Sequence, residues 1–492
     1  MYMKIRFSER IECCKVLYFL KYNKVIPYYH NNKQGENNIM RDKLNQFFHL
    51  SERGTNIKTE ILAGTTTFLT CVYIVAVNPG ILSAAGMDTK AVFWATAVAS
   101  AIACIWIGIW ANLPFALAPA MGLNAYFTYY VCNTLGLPWQ NALACVAISG
   151  ITFMLLSIFK VQQKIVDAMP DCIKHSVGSG IGFFIAFTGL MQAGIVTSSP
   201  DTLLTLGDLA NPGALLALFG IFLTAILVIK KVRGAILIGI LAVTALGILV
   251  KDPVTGIAYT VIPDHILSFD NPVTAMAPTF GKLTLKGLFS GTPEMVLGVI
   301  FAIISFLFVD LFDSIGVLLG VSSKAGLMDE KGNIPCAGKA LFVSAGGAAV
   351  GALLGTNTVT IYGAESATGI NEGGRTGLTA CVTGVLFLFT LFLSPLFLMI
   401  PSIATAPALV MVGIFMIEPL RKLPLDDVSI ALPVFLTVAL MPFTYNIAYG
   451  ILFGLIGYTI GQVAVGKAKE MTKTVWVLTV IFIVYLILEI IL

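Results

Sequence analysis

The feature that most constrains the fold is a series of long apolar segments that recur along most of the chain. Runs of about 18 or more apolar residues are typical of membrane-spanning helices. Of the 492 residues, 57% are hydrophobic and only 11% are charged, whereas about a quarter of the residues of a soluble domain are charged. The sequence therefore predicts an all-α polytopic membrane protein whose surroundings are the lipid bilayer.

Hydropathy predicts fourteen transmembrane spans, followed by an apolar tail at 474–492 that either crosses the membrane again or lies at its surface. The predicted spans are 59–84, 91–111, 115–133, 140–159, 175–196, 213–230, 234–250, 295–320, 337–355, 360–372, 377–399, 403–420, 427–443 and 445–466.

The positions of the Lys and Arg residues give the orientation of these spans. Eleven of the thirty lie in residues 1–58, and with a cytoplasmic N-terminus only Lys90, Lys251, Lys282 and Lys286 fall outside the cell. Cytoplasmic connections normally carry such an excess. We therefore expect a multi-pass protein of the cell membrane with its N-terminus in the cytoplasm. This topology also explains the net charge of +4, so we expect no nucleic-acid partner.

The two halves of the sequence resemble each other. The stretch "FLTAILVIKKVRGAILIGIL" at 222–241 is similar to "FLTVALMPFTYNIAYGILFGLI" at 435–456, and both read as a span, a tight turn and a second span. With seven spans in each half, the second copy must enter the membrane from the opposite side. The sequence thus predicts a 7+7 inverted repeat, a plan common among secondary transporters.

Only three ionisable residues stand out within the predicted spans. Asp310 and Asp313 lie three residues apart in span 8, on one face of a helix, and Glu365 lies in span 10. Carboxylates at membrane depth are costly and usually functional. Asp313 and Glu365 are therefore candidate functional residues, while a helix-packing role for Asp310 stays open.

Spans 3 and 10 are the weak ones, because glycine and proline interrupt them. "LAPAMGLNAYF" (117–127) and "TVTIYGAESATGI" (358–370) each read as an extended stretch that leads into a short helix. Interrupted segments at matching positions of a repeat indicate the substrate site of a transporter. The N–H groups at a helix start are free to bind a ligand.

Carboxylates beside free amides favour one kind of ligand. A carboxylate accepts hydrogen bonds and an N–H group donates them, so a flat heterocycle with N–H and C=O edges fits. An anion fits poorly, because no Lys or Arg lies at this depth. The aromatic side chains available for stacking, which could equally serve helix packing, are Tyr126, Phe127, Phe312 and Tyr362. We find no nucleophile–base pair and no metal-ligand spacing, so we expect neither an enzyme, a metal nor a cofactor.

Three motifs carry a family resemblance: "PFALAPAMGLNAYF", "FVDLFDSIGVLLG" and "YGAESATGINEGGRTGL". In order and spacing they resemble the azaguanine-type hypoxanthine/guanine/adenine permeases, a branch of the nucleobase–cation symporter-2 (nucleobase–ascorbate transporter) family. The similarity runs from about Leu44 to Lys467. It implies a core domain of spans 1–4 and 8–11 that moves against a gate domain of spans 5–7 and 12–14.

The resemblance also implies roles for single residues. Asp313 and Glu365 correspond to the family's base-binding groups and Asn124 to the asparagine of its span-3 motif. We expect amides near Asn124 and Ser366 to complete the site, with Phe127 and Tyr362 as stacking residues. The coupling ion is expected to be H+, carried by one of Asp313, Glu365 and Asp310.

The sequence is thus interpreted as a purine importer, with hypoxanthine, guanine or adenine as substrate, driven by proton symport and working by alternating access. The alternatives are a transporter of the same fold for another nucleobase (uracil or xanthine) or for an anion. A homodimer is expected from the resemblance alone. Residues 1–39 look unlike the rest, and we hypothesise that Met40 is the natural start. The predicted divisions are a cytoplasmic segment (1–58), core (59–160 and 292–399), gate (175–250 and 403–466), an extracytoplasmic connection (251–291) and a tail (467–492).

Overall fold

The computed structural model describes residues 33–159, 169–328, 334 and 336–491. The chain divides into two units, residues 1–47 and 48–492. Helix α1 (Lys33–Phe48) covers the described part of the first unit. The hypothesis of a start at Met40 concerns residues 1–39, of which 1–32 lie outside the described part.

The second unit is built almost entirely of helices. Its first half contains α2 (Ile57–Cys71), α3 (Ile74–Ser83), α4 (Thr89–Trp110), β1 (Leu117–Pro119), α5 (Met121–Ala125), a π-helix (Tyr126–Thr134), α6 (Trp139–Ile158), α7 (Asp171–Gln192), β2 (Val196–Ser199), β3 (Leu203–Leu206), α8 (Pro212–Ile229) and α9 (Ala235–Gly247). The connection to the second half contains α10 (Pro272–Met276).

The second half has a similar order of long helices around one short strand and the helix that follows it. It contains α11 (Pro293–Ala325), α12 (Ala337–Leu354), β4 (Val359–Ile361), α13 (Gly363–Asn371), α14 (Gly377–Phe389), a 3-10 turn (Thr390–Leu393), α15 (Ser394–Leu398), α16 (Ser402–Phe415), a 3-10 turn (Glu418–Lys422), α17 (Val428–Phe443), α18 (Ile447–Ala464), a 3-10 turn (Ala468–Glu470) and α19 (Lys473–Ile491).

Several helix starts follow from capping side chains in the sequence. The side chains of Asp88, Asn211 and Asn446 accept hydrogen bonds from the first turns of α4, α8 and α18. Such caps satisfy N–H groups that have no partner inside the helix. Pro212 at the start of α8 needs no such partner. These local signals fix where the polar connections give way to apolar helices.

The duplicated sequence forms two helix pairs that pack in the same way. In α8 and α9 the Thr224 hydroxyl lies against Gly239, and in α17 and α18 the Thr437 hydroxyl lies against Gly454. Any side chain at either glycine would overlap the threonine. Close packing against small residues is how membrane helices associate. The shared contact is what an internal repeat predicts.

Nine helices among the described residues are long and apolar enough to cross a membrane. Helices α9, α17 and most of α19 are shorter but also apolar, and predicted spans 3 and 10 are the two broken segments. The all-α polytopic fold and the broken spans are thereby confirmed. The count of fourteen crossings stays a prediction, because length and composition alone do not fix the position of the bilayer. Whether α19 crosses the membrane also stays open.

Span 1 corresponds to one helical stretch, Ile57–Ser83, that is long and apolar enough to cross a membrane, with a short interruption between α2 and α3. One predicted span needs correction. Span 5 was expected to reach residue 196, but α7 ends at Gln192 and the strands β2 and β3 form an antiparallel hairpin. Gly194 has a φ of +68°, a left-handed conformation that ends the helix.

The long helices pack in two groups. Helix α4 packs on α14 and α6 on α12, so the two halves of the sequence interleave; α7 packs on α16 and α17, and α17 on α18. The first group holds the elements predicted as core and the second those predicted as gate. The division into moving domains stays a prediction.

Candidate functional site

The two broken segments meet at a short antiparallel β-ladder in the centre of the fold. Leu117 pairs with Ile361, and Pro119 pairs with Val359. The ladder extends on both sides, because the Ala120 N–H donates to the Thr358 carbonyl and the Tyr362 N–H donates to the Ala116 carbonyl, each at 2.9 Å. All six strand residues are buried. Unpaired backbone would be costly here, and the ladder satisfies it.

Each strand runs directly into a helix, and neither helix start is capped by a side chain. Ala120 precedes α5 and Tyr362 precedes α13 without a capping side-chain hydrogen bond. Helix geometry leaves the N–H groups of Gly363 and Ala364 without partners inside α13, while the Glu365 N–H donates to its own carboxylate. The helix start therefore presents several donors with a partial positive charge.

Tyr362 and Ser366 connect the two segments. The Tyr362 hydroxyl donates to the Pro119 carbonyl at 2.6 Å. The Ser366 hydroxyl donates to the Tyr362 carbonyl and accepts from the Ala116 N–H at 2.9 Å. Both side chains are buried. The hydroxyl groups of these two predicted site residues thus hold the ladder together.

The two candidate carboxylates lie on neighbouring elements. Helix α11, which carries Asp313, packs on β4 and α13. Asp313 lies beside Thr360 of β4 and is close enough to Glu365 for the two charges to repel each other. Glu365 lies in the first turn of α13. Both residues are intermediate in exposure, so the structure brings both together beside the open amides.

Asp310, one helical turn earlier, has different surroundings. Its side chain is 2% exposed and accepts a hydrogen bond of 3.1 Å from Ser314, whose hydroxyl also contacts Ser344 of α12 at 2.7 Å. The structure therefore places Asp310 at the contact of α11 with α12, and still close enough to Asp313 for the two charges to repel each other. This is the packing arrangement that the sequence left open for it.

Asn124 lies in α5, the helix that follows β1. It is fully buried, and neither atom of its side-chain amide has a hydrogen-bond partner among the described residues. A buried amide without partners is costly and needs a water or a ligand. Phe127 is fully buried and Tyr362 is 7% exposed. Stacking of either ring on a ligand stays a prediction.

Two residues of this region were not predicted. Tyr73, between α2 and α3, donates from its hydroxyl to Oε1 of Glu365 at 2.7 Å. Glu60 in α2 is fully buried and accepts hydrogen bonds from Thr376 and Thr379, at the start of α14. Glu60 could have been found as an acid at the edge of an apolar run. For Tyr73 the sequence has no such signal.

The contacts described above include no cationic side chain beside Asp313 or Glu365. The nearest arginine in sequence, Arg375, donates to the carbonyls of Ile370 and Gly374 at 2.6 and 2.8 Å. Its side chain therefore caps the C-terminal end of α13. The site combines acceptors (Asp313, Glu365) with backbone donors, and this combination suits a neutral polar ring.

Two broken helices that meet across an internal repeat, with carboxylates beside open amides, define a membrane transport protein. The chain belongs to the permease family: the model Xan_ur_permease, described as "Permease family", matches residues 58–453. The predicted family and the assignment as a transporter rather than an enzyme are thereby confirmed.

Similar proteins include two characterised by name as purine permeases. The chain is 40% identical to the adenine permease AdeP of Escherichia coli (strain K12) over 440 residues, which cover 89% of this chain and 95% of AdeP. It is 42% identical to the guanine/hypoxanthine permease PbuG of Bacillus subtilis (strain 168) over 452 residues, or 90% of this chain and 99% of PbuG.

Solved structures share the fold at low sequence identity. The transmembrane domain of the cyanobacterial bicarbonate transporter BicA matches with a TM-score of 0.59 and 14% identity, covering 80% of this chain and 97% of that domain. The murine anion transporter Slc26a9 in the inward-facing state matches with a TM-score of 0.59 and 11% identity, covering 92% of this chain and 75% of Slc26a9. These likenesses establish the architecture alone.

Proposed function

We propose that this permease imports purine nucleobases (hypoxanthine, guanine or adenine) by proton symport across the cell membrane, with its N-terminus in the cytoplasm. The observation that carries the proposal is Glu365 in the first turn of α13, beside open amides and close to Asp313. The relatives AdeP and PbuG, named as purine permeases, support the substrate class.

Base recognition follows from donors and acceptors. Asp313 and Glu365 accept hydrogen bonds from ring or exocyclic N–H groups, and the amides at the start of α13 donate to a carbonyl or a ring nitrogen. Helix geometry uses the Ser366 N–H within α13, so the amides of Gly363 and Ala364 are the donors nearest to Ser366 that remain for the ligand. Asn124 supplies a donor and an acceptor, and Phe127 and Tyr362 contribute their ring faces.

Proton coupling follows from the two neighbouring carboxylates. Moving two negative charges through a low-dielectric site is costly. Uptake of one proton by Asp313 or Glu365 removes one of these charges, so the loaded carrier reorients at a lower cost than the unprotonated one. Asp310, bonded to Ser314 and close to Asp313, is the third candidate carrier of this proton. Reorientation itself is a movement of the core against the gate.

Another nucleobase, uracil or xanthine, is the stronger alternative within this fold, and a small anion is the weaker one. The acceptor-rich site accommodates the N–H edges of uracil or xanthine too. An anion would face Asp313 and Glu365 without a neutralising cation, because the side chain of Arg375 is bonded to backbone carbonyls.

The substrate class is tested by uptake into cells that lack their own purine permeases. We expect uptake of labelled hypoxanthine, guanine or adenine, with competition among these three bases but not by uracil, xanthine or bicarbonate. Asp313→Asn should reduce uptake at least about a hundredfold at equal membrane abundance, since a hydrogen bond to a charged group is lost from a desolvated site. Competition by uracil alone would assign the site to a pyrimidine.

Coupling is tested separately in the same cells. Uptake should fall when an uncoupler collapses the proton gradient and should rise as the external pH is lowered. Uptake that is unchanged by both treatments would contradict proton symport and leave the substrate assignment standing.

A further inference from the structure

Tyr73 lies at the break in the first predicted span, at the end of one helix and before the next. It precedes Ile74, the first residue of α3, and follows Val72, the C-cap of α2. Its side chain is 1% exposed. A buried tyrosine needs a partner for its hydroxyl, and here the partner lies 292 residues further along the chain.

That partner is the carboxylate of Glu365. The Tyr73 hydroxyl donates to Oε1 at 2.7 Å, the length of a charge-assisted hydrogen bond. The carboxylate also accepts a hydrogen bond from its own backbone N–H. Because an ionised carboxylate has about four acceptor positions, these two bonds leave it capacity to accept from a ligand.

A second contact holds the same two elements in register. The Thr70 hydroxyl, one turn before Tyr73, contacts the Thr368 hydroxyl at 3.0 Å, and α2 packs along α13. The backbone near Tyr73 is thus fixed against α13 independently of the tyrosine hydroxyl. The Tyr73 hydroxyl therefore acts on the Glu365 side chain, to which it is hydrogen-bonded.

From this geometry we infer that Tyr73 is a positioning residue for substrate recognition, which holds Glu365 so that one carboxylate oxygen faces a purine N–H. The inference rests on the proposed function. A tyrosine hydroxyl both donates and accepts. It therefore keeps its bond to Glu365 when the carboxyl group is protonated, by accepting from the acid instead of donating to it. Tyr73 holds the side chain in both protonation states of the transport cycle.

The test is Tyr73→Phe, which removes one oxygen and keeps the ring. We expect the KM for purine uptake to rise about tenfold or more, as for the loss of a hydrogen bond to a charged group. Maximal uptake and membrane abundance should stay near wild type. The matched control is Tyr259→Phe, which removes a hydroxyl bonded to Asn211 at 3.3 Å. Neither residue belongs to the broken segments, so this variant should leave KM unchanged.

A second readout separates positioning from a structural role. Affinities are measured for a purine and for analogues in which one ring N–H at a time is replaced by N-methyl. The wild type should discriminate most strongly against one of these analogues, and Tyr73→Phe should lose most of that discrimination while the ranking of the other analogues persists.

The outcomes distinguish this inference from the proposed function. If the wild type takes up no purine, the proposed function fails, and the inference fails with it. If the wild type transports purines but Tyr73→Phe keeps the wild-type KM and discrimination, only the inference is overturned. A Tyr73→Phe protein that fails to reach wild-type abundance would also overturn it, since the hydroxyl would then serve folding.

Discussion

The two broken segments have the same backbone plan and different chemistry. Each is a three-residue strand followed directly by an uncapped helix, and the two strands pair with each other. The first-half segment carries Asn124, a neutral amide without partners. The second-half segment carries Glu365, which is held by Tyr73.

The difference shows how a repeated fold becomes a specific site. Duplication supplies two equivalent helix starts, and the ladder fixes them roughly 10 Å apart along a three-residue strand. The charge lies in the second half only, where α11 adds Asp313. The second segment together with α11 therefore carries charged acceptors, and the first carries a neutral donor and acceptor. Under the proposed function they would bind different edges of one flat base.

The largest expected effect comes from removing the charge of the second segment. Glu365→Gln should reduce purine uptake at least about a hundredfold, because a charge-assisted hydrogen bond and a proton carrier are lost together. Moving the charge in the double variant Asn124→Asp/Glu365→Gln should not restore uptake, since Tyr73 and the open amides are placed for a carboxylate at position 365. Uptake is measured at equal abundance. Restored uptake in the double variant would show that the two segments are interchangeable.

The second-largest effect is expected at Asn124, in the broken segment of the first half. Asn124→Leu should raise the KM for purine uptake about tenfold and at the same time raise the thermal stability of the ligand-free protein. An unsatisfied buried amide costs about 1–3 kcal/mol, and a leucine of similar size removes that cost. The melting temperature in detergent tests the expected gain in stability, and uptake kinetics in cells test the expected rise in KM. A lower melting temperature would show that the Asn124 amide has partners inside the protein.

A smaller effect is expected where the segments are joined. Tyr362→Phe removes the hydrogen bond to the Pro119 carbonyl and keeps the ring. It should lower the free energy of unfolding by about 1–3 kcal/mol, because a buried carbonyl is left unsatisfied, and should change KM less than about threefold. Thermal unfolding and uptake kinetics measure this. A change in KM without a loss of stability would show that the Tyr362 hydroxyl binds the ligand rather than the Pro119 carbonyl.

The smallest effect is expected for an acid far from both segments. Asp270 forms an ion pair with Lys90 at 2.8 Å, and hydrogen bonds from Lys90 and Ser268 lower the pKa of Asp270. The pair therefore adds stability above the unfolded pKa of about 4 and loses it as the pH falls through the lower folded value. Because both side chains are partly exposed, the contribution is about 1 kcal/mol or less.

Asp270→Asn should accordingly show the same purine uptake as the wild type at each pH between 5 and 8, and should lower the melting temperature only slightly at neutral pH. It serves as the baseline for Glu365→Gln, since both variants replace an acid by its amide. A large loss of uptake in Asp270→Asn would show that acid-to-amide changes act through folding of the whole protein.

The sequence predicts the broken segments because glycine and proline interrupt apolar runs, a local signal. It also identifies Asp313 and Glu365, because charges are rare in such runs. It does not separate Asp310 from Asp313, since both share a helix face; the separation arises from Ser314 and Ser344 on packed helices. Tyr73 was missed for the same reason, because its contact joins distant parts of the chain. The strands β2 and β3 were missed because the adjoining apolar helix masked their short alternating pattern.

The most direct test of the account is a structure of the purified protein with a bound purine. We predict that the base lies between the two broken segments, with ring or exocyclic nitrogen atoms within about 3 Å of carboxylate oxygens of Glu365 and Asp313 and with the Asn124 amide bonded to its other edge. A base bound elsewhere, or one that leaves Glu365 and Asn124 without contacts, would contradict it.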